Sequence, residues 1–197
     1  RVHGSRGIPG DWRGTPEHGG GMILDWGIHL IDQIMGIVDD KTLRKVFCHC
    51  DHITNELVDD GFQLDMFFDD DLVARVEVGT SNFISMPRFY MTGADGSAII
   101  LRTLLVPNYN EKDVVPVKTA AGITKTMAPR DEKSIASKDI PQPASDVHDF
   151  YRNFVRAICG EEEQIVTHHQ MMVDMKIMEA AFESDRTGLP VAVELKF

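Results

Sequence analysis

The apolar positions of this chain follow two rhythms. From about residue 21 to residue 38 they recur at the helical repeat, with Ile23, Trp26, Leu30 and Ile34 on one side, and Asp39-Asp40 ends the run. Residues 45–50 read as a strand and 62–68 as a second, turning at Asp69-Asp70-Asp71. Residues 72–78 then alternate cleanly, which predicts one buried face. A hairpin is expected from 88–92 and 97–102 around Gly93-Ala94-Asp95-Gly96, where the Asp-Gly pair supplies the tight turn. Residues 103–145 carry less pattern: one strand at 114–117 and a polar loop through Lys138. The helical rhythm returns at 146–158, capped by Ser145 or Asp146, with Val147, Phe150, Phe154 and Ile158 on one side. It continues at 167–184, where Met171, Met175, Met178 and Phe182 form a stripe read as core. Residues 191–195 close the chain as a strand. Strands framed by helices, without regular β-α alternation, predict an α+β fold with a mainly antiparallel sheet.

The first helix carries a polar line. Gly21, Asp25, His29, Asp32 and Gly36 fall on one face of an otherwise apolar run. Two carboxylates and an imidazole in one line either satisfy each other inside a core or border a cleft that holds a polar ligand. The flanking glycines favour the cleft, because they let something come close to the backbone. A His beside a carboxylate is a workable general acid/base, since the carboxylate orients the ring and stabilises its charged form. A self-satisfied buried triad and a metal site of two carboxylates and a His remain as alternatives.

Composition narrows the partners. With 197 residues, 43% hydrophobic and 26% charged, the chain is long enough for a full core. A formal charge of −11 excludes the basic footprint that nucleic acid or an anionic membrane needs. No apolar run approaches the ~20 residues of a membrane span. The three cysteines, Cys48, Cys50 and Cys159, suit free thiols in the cytoplasm. The opening Arg1-Val2-His3-Gly4, without methionine, is what a piece of a longer protein would show. Cys48-His49-Cys50-Asp51-His52 reads as buried thiols on a strand, because its ligand types alternate between faces. His168-His169 diverge on a helix and read as surface residues. Gly19-Gly20-Gly21 opens like a dinucleotide fingerprint, but its sixth position is Leu24 and it follows a loop rich in Gly, Pro and charge.

Asp11-Trp12-Arg13, then Gly19-Gly20-Gly21 and Asp25-Trp26-Gly27-Ile28-His29-Leu30-Ile31-Asp32, resembles the signature of the glucose–fructose oxidoreductase / inositol dehydrogenase / rhizopine-catabolism (Gfo/Idh/MocA) family. The hairpin glycines Gly93 and Gly96, Asp149-Phe150, and the last helix running into Gly188-Leu189-Pro190-Val191 match in order. The resemblance implies an open, predominantly antiparallel sheet with helices packed on one face. It implies the C-terminal domain of a two-domain dehydrogenase, residues 1–197 being a single substrate-binding and oligomerisation domain without its N-terminal Rossmann domain. The substrate class implied is a sugar, inositol or related polyol. NAD or NADP would be bound in the full-length protein and none by this chain alone, which is then inactive by itself. His29 would be the acid/base, Asp25 would hold the reacting hydroxyl or the imidazole, and Asp32 would orient His29. Arg13 and Trp12 would contact substrate or cofactor, and no metal is implied. A homo-dimer or tetramer through the helix-free sheet face is expected. The alternatives are a non-catalytic binding or assembly module, and a metal-dependent isomerase or hydrolase using Asp25, His29 and Asp32.

Overall fold

The computed structural model describes residues 1–3, 11–81, 84, 86–94, 96–100 and 146–197, together with the backbone of four strands between 103 and 139. Contacts divide the chain into two compact units, Arg1–Met86 with Ser145–Phe197, and Pro87–Ala144.

In the first unit a five-stranded sheet runs in the order β1 (Val2–His3), β4 (Val73–Gly79), β3 (Gly61–Phe68), β2 (Leu43–Asp51) and β11 (Val191–Leu195). All pairings are antiparallel except the short parallel β1–β4 contact. The register explains which face is buried. Cys50, Phe62 and Val78 form one row across the sheet, Cys48, Leu64 and Val76 the next, and Val46, Met66 and Ala74 a third. Period-2 alternation therefore places an apolar row from each strand on one face. Against that face lie Leu30, Ile31 and Met35 of α1 (Ile28–Ile37) and Val173, Ile177, Met178 and Ala181 of α3 (His168–Thr187). Burying each of the larger side chains contributes roughly 1.5–3 kcal/mol. The other face bears Phe47, His49, Asp65, Phe67 and Arg75, with Arg75 bonded to Asp65 at 2.6 and 2.8 Å and Lys45 4.7 Å over the Phe67 ring. The fold is α+β, with a mainly antiparallel sheet and helices on one face, as expected.

Strand β11 accompanies β2 only as far as the pair Val191–Val46. Beyond it, helix α3 takes over the edge. Ser184 Oγ accepts the Cys48 N–H at 2.9 Å and Asp185 Oδ1 accepts the Cys50 N–H at 2.7 Å. The helix begins at the N-cap Thr167, whose side chain and Gln170 bond reciprocally, and ends at Gly188 in the left-handed region. Its methionine stripe corrects the sequence expectation. Met171, Met175 and Phe182 are exposed and only Met178 is buried. Ala180, Ala181 and Ser184 form the inner face instead, because small side chains let the helix approach the sheet closely. Helix α2 (Val147–Ile158) is capped by Asp146, which accepts the His148 N–H at 3.0 Å. Val147, Phe150, Phe154 and Ile158 do share one side, and all four are exposed.

In the second unit β10 (Ile135–Asp139), β7 (Thr103–Pro107), β6 (Ser97–Ile100) and β5 (Phe89–Thr92) form an antiparallel sheet in that order, beside the β8 (Val117–Thr119) and β9 (Gly122–Thr124) pair. The expected β5–β6 hairpin is present, closed by Gly93 N–H to Gly96 O at 2.8 Å. Strand β10 replaces the loop expected through Lys138, and the expected strand at 114–117 lies outside the described residues except for Val117. Among the described residues no helix is long and apolar enough to cross a membrane.

Candidate active-site face

The polar line does not sit on one continuous α-helix. Ile23–Gly27 winds as a π turn, and α1 follows from Ile28. No side chain of the segment's own caps its start. The cap arrives from elsewhere: Asp59 Oδ2 accepts the N–H groups of Met22 and Ile23 at 2.8 and 2.9 Å. Asp59 is buried, which pushes its carboxyl above the ordinary range, although these backbone bonds oppose the shift. The glycine triplet serves this arrangement. A β-carbon on Gly21, at φ +106°, would strike the Asp59 carboxylate, and one on Gly20 would strike the carbonyls of Arg13 and Thr15. What comes close to Gly20 and Gly21 is the chain itself, while Gly19 has open space beside it.

The same loop positions Arg13. Asn55 Nδ2 donates to Gly14 O at 2.9 Å, and Gly21 N–H donates to Arg13 O at 3.0 Å. From there Arg13 Nε donates to Asp25 Oδ2 at 2.6 Å and Nη1 to Asp11 Oδ2 at 3.1 Å, with the guanidinium 4.4 Å over the Trp12 ring. The bonds to Asp25 and Asp11 raise the Arg13 pKa further above its usual value. Asp25 is thus held by Arg13. No hydrogen bond or ion pair joins His29 to Asp25 or Asp32.

His29 is exposed on the first turn of α1, its ring edge-on to Trp26 at a centroid distance of 6.3 Å. Asp32, one turn on, is exposed as well. Two cavities in this unit, of about 160 and 320 Å³, are lined by neither Asp25, His29 nor Asp32. The reason is the seating of α1. Leu30, Ile31 and Met35 face the sheet, and the polar edge points away from it, toward open space. Among the described residues no group of three or more His, Cys, Asp or Glu is arranged to hold a metal ion.

Cys48 and Cys50 are buried, as expected of strand thiols, and the Cys50 thiol is raised by its hydrogen bond with Cys48 and by burial. His168 and His169 are exposed at the start of α3. Five buried polar residues among those described escaped the sequence reading: Asp59, Asp60, Asn153, Asp174 and Ser184. A helix that starts on Met22-Ile23 without a capping residue is the signal that a cap must come from a distant segment. Asp174 of α3 is 4% exposed, and burial together with the charge of Asp32 pushes its carboxyl up to about 7.

The profile of the GFO/IDH/MocA C-terminal domain matches residues 1–99. The crystal structure of a NAD-binding protein from Listeria innocua superposes with a TM-score of 0.83 at 39% identity, covering 98% of this chain and 57% of that one. An aldose-aldose oxidoreductase from Caulobacter crescentus, complexed with glycerol, gives a TM-score of 0.69 at 17% identity and covers 98% of this chain and 53% of its own. At that identity the likeness shows the fold alone. No curated protein matches the chain. This chain spans little more than half the length of either structure, and it belongs to the GFO/IDH/MocA family as an oxidoreductase C-terminal domain.

Proposed function

We propose that this chain is the substrate-facing half of an NAD(P)-dependent oxidoreductase acting on a CH–OH group of a sugar, inositol or related polyol. The observation that carries the reading is the outward polar edge: Asp25 fixed by Arg13, then His29 and Asp32 unencumbered on the next turns. An edge built this precisely and left open within its own chain suits a site completed by another segment. The relatives' extra length is where such a segment would lie, and the name of the Listeria protein as NAD-binding agrees with it.

NAD or NADP, when bound by the longer protein, supplies a hydride acceptor. The chain's own residues manage the other half of the oxidation. His29 accepts the proton of the reacting hydroxyl, an imidazole being suited to proton transfer near neutral pH. Asp25, pinned at 2.6 Å by Arg13, orients a neighbouring hydroxyl of the substrate, and Trp12 walls the approach. Asp32, one turn on, orients His29. This domain alone is inactive on this reading. The helix-free sheet face, with Phe47 and Phe67 among paired charges, is the surface for a homo-dimer or tetramer in the cytoplasm.

The test is turnover of sugars and inositols with NAD or NADP by the full-length protein. His29→Ala should lower kcat by about 10²–10⁴-fold with the fold intact. Unchanged turnover would remove His29 from the chemistry.

A further inference from the structure

Asp174 is an ionisable side chain of the core that takes no part in the chemistry so far assigned. It lies on the inner face of α3 between Val173 and Ile177, and its Oδ1 is buried without a hydrogen-bond partner. Helix α1 packs against α3 here, close enough for the exposed carboxylate of Asp32 to act on Asp174 across the seam.

Of the titratable groups on elements packed against α3, His49 of β2 lies 3.8 Å from Asp185 at the far end of the helix. From α1 the titratable side chains are His29 and Asp32. The π turn contributes Asp25, already held by Arg13. Strand β2 presents the core thiols Cys48 and Cys50. Strand β11 contributes Val191, Val193 and Leu195 to the core, while its Glu194 bonds Arg44 at 3.0 Å. On α3 itself the neighbours one turn away are Gln170, Met171, Ile177 and Met178, none of them charged. No cation compensates Asp174 from these groups.

We propose that Asp174 is a positioning residue of the candidate site, a buried carboxyl set behind Asp32 in the α1–α3 seam that seats the turn bearing His29 and Asp32. The proposal rests on the site reading above. With its proton, Asp174 places no charge in the seam, and α1 stays seated with His29 and Asp32 in place. Without it, two carboxylates face each other across packed helices. Their repulsion in a poorly solvated seam pushes Asp32, and the turn bearing His29, away from α3. Burial and the Asp32 charge, which hold Asp174 at about 7, agree with this.

The experiment has two arms. In the chain labelled with [13C]aspartate, the Asp174 carboxyl signal is identified by its loss in Asp174→Asn and followed through a pH titration. Its midpoint should lie near neutrality and fall by about half a unit or more in Asp32→Asn. A midpoint in the ordinary carboxylate range, or one indifferent to Asp32→Asn, overturns the proposal. In the full-length protein, Asp174→Asn should move one limb of the turnover–pH profile by about half a unit or more, with plateau kcat changed less than about threefold. A loss of rate at every pH with the limb unmoved marks a merely structural role and also overturns it. If His29→Ala leaves turnover intact, the site reading fails by that result, while the titration still decides the coupling of Asp174 to Asp32.

Discussion

Asp59 lies against Gly21, its Oδ1 within clashing range of a β-carbon on that residue, while its Oδ2 holds the next two N–H groups. One contact thus fixes both the start of the π turn and the loop carrying Arg13. Gly21→Ala combines a collision with a left-handed backbone and should cost about 1–3 kcal/mol. Asp59→Ala leaves the Ile23 N–H without its acceptor and Met22 N–H with only the 3.2 Å bond to the Asp59 carbonyl, and should cost about as much. Urea unfolding of both variants measures this, and a change under about 0.5 kcal/mol would show that the cap does not hold the segment.

Ser184 is fully buried, accepting from Cys48 N–H and donating to Leu189 O at 2.8 Å. Ser184→Ala strands both partners and should destabilise by about 1–3 kcal/mol. Amide exchange at Cys48 should accelerate in step.

Stability should depend on pH through Asp174. Its carboxyl titrates near the ordinary 3.8 when unfolded and at about 7 when folded. Between those values the folded chain binds more protons, so stability falls as pH rises and levels off above the folded value. Asp174→Asn should narrow the difference between pH 5 and pH 8 by about 2–4 kcal/mol, read from urea curves at the two pH values. An equal difference in both proteins would refute the assignment.

The β3–β4 turn uses Asp70 and Asp71 at φ +56° and +57°, a conformation glycine adopts more readily. Asp71→Gly should raise the midpoint of unfolding, adding about 0.5–1 kcal/mol, with the Lys41–Asp70 bond at 2.7 Å retained.

The thiols should separate by reactivity. Cys159 is exposed, whereas Cys48 and Cys50 are buried and Cys50 resists ionisation. Ellman's reagent should titrate Cys159 at once and the other two only on unfolding. Rapid reaction of all three would contradict the packing of β2.

The strand block was legible because its signal is local: the alternation in 72–78 appears as Val76 and Val78 turned into the core. The line of Asp25, His29 and Asp32 was legible as polar residues out of place in an apolar run. Its surroundings were not. Arg13 meets Asp25 across 12 positions, and Ser184 meets Cys48 across 136, through single polar atoms that leave no periodic trace. The inner face of α3 was misread for a different reason. Two apolar stripes compete there, and close approach to a sheet selects the one with small side chains, Ala180 and Ala181, over the one with more hydrocarbon.

The wide winding of Ile23–Gly27 makes that stretch a reservoir of one spare residue. A single deletion inside it can be absorbed by tightening to ordinary α geometry, with the glycines before and His29 after left where they stand. The same deletion within Ile28–Ile37 has no slack to draw on and would twist the remainder of the helix by about 100°. Tolerance to shortening should therefore change abruptly at the boundary between two turns that look alike in the amino-acid string.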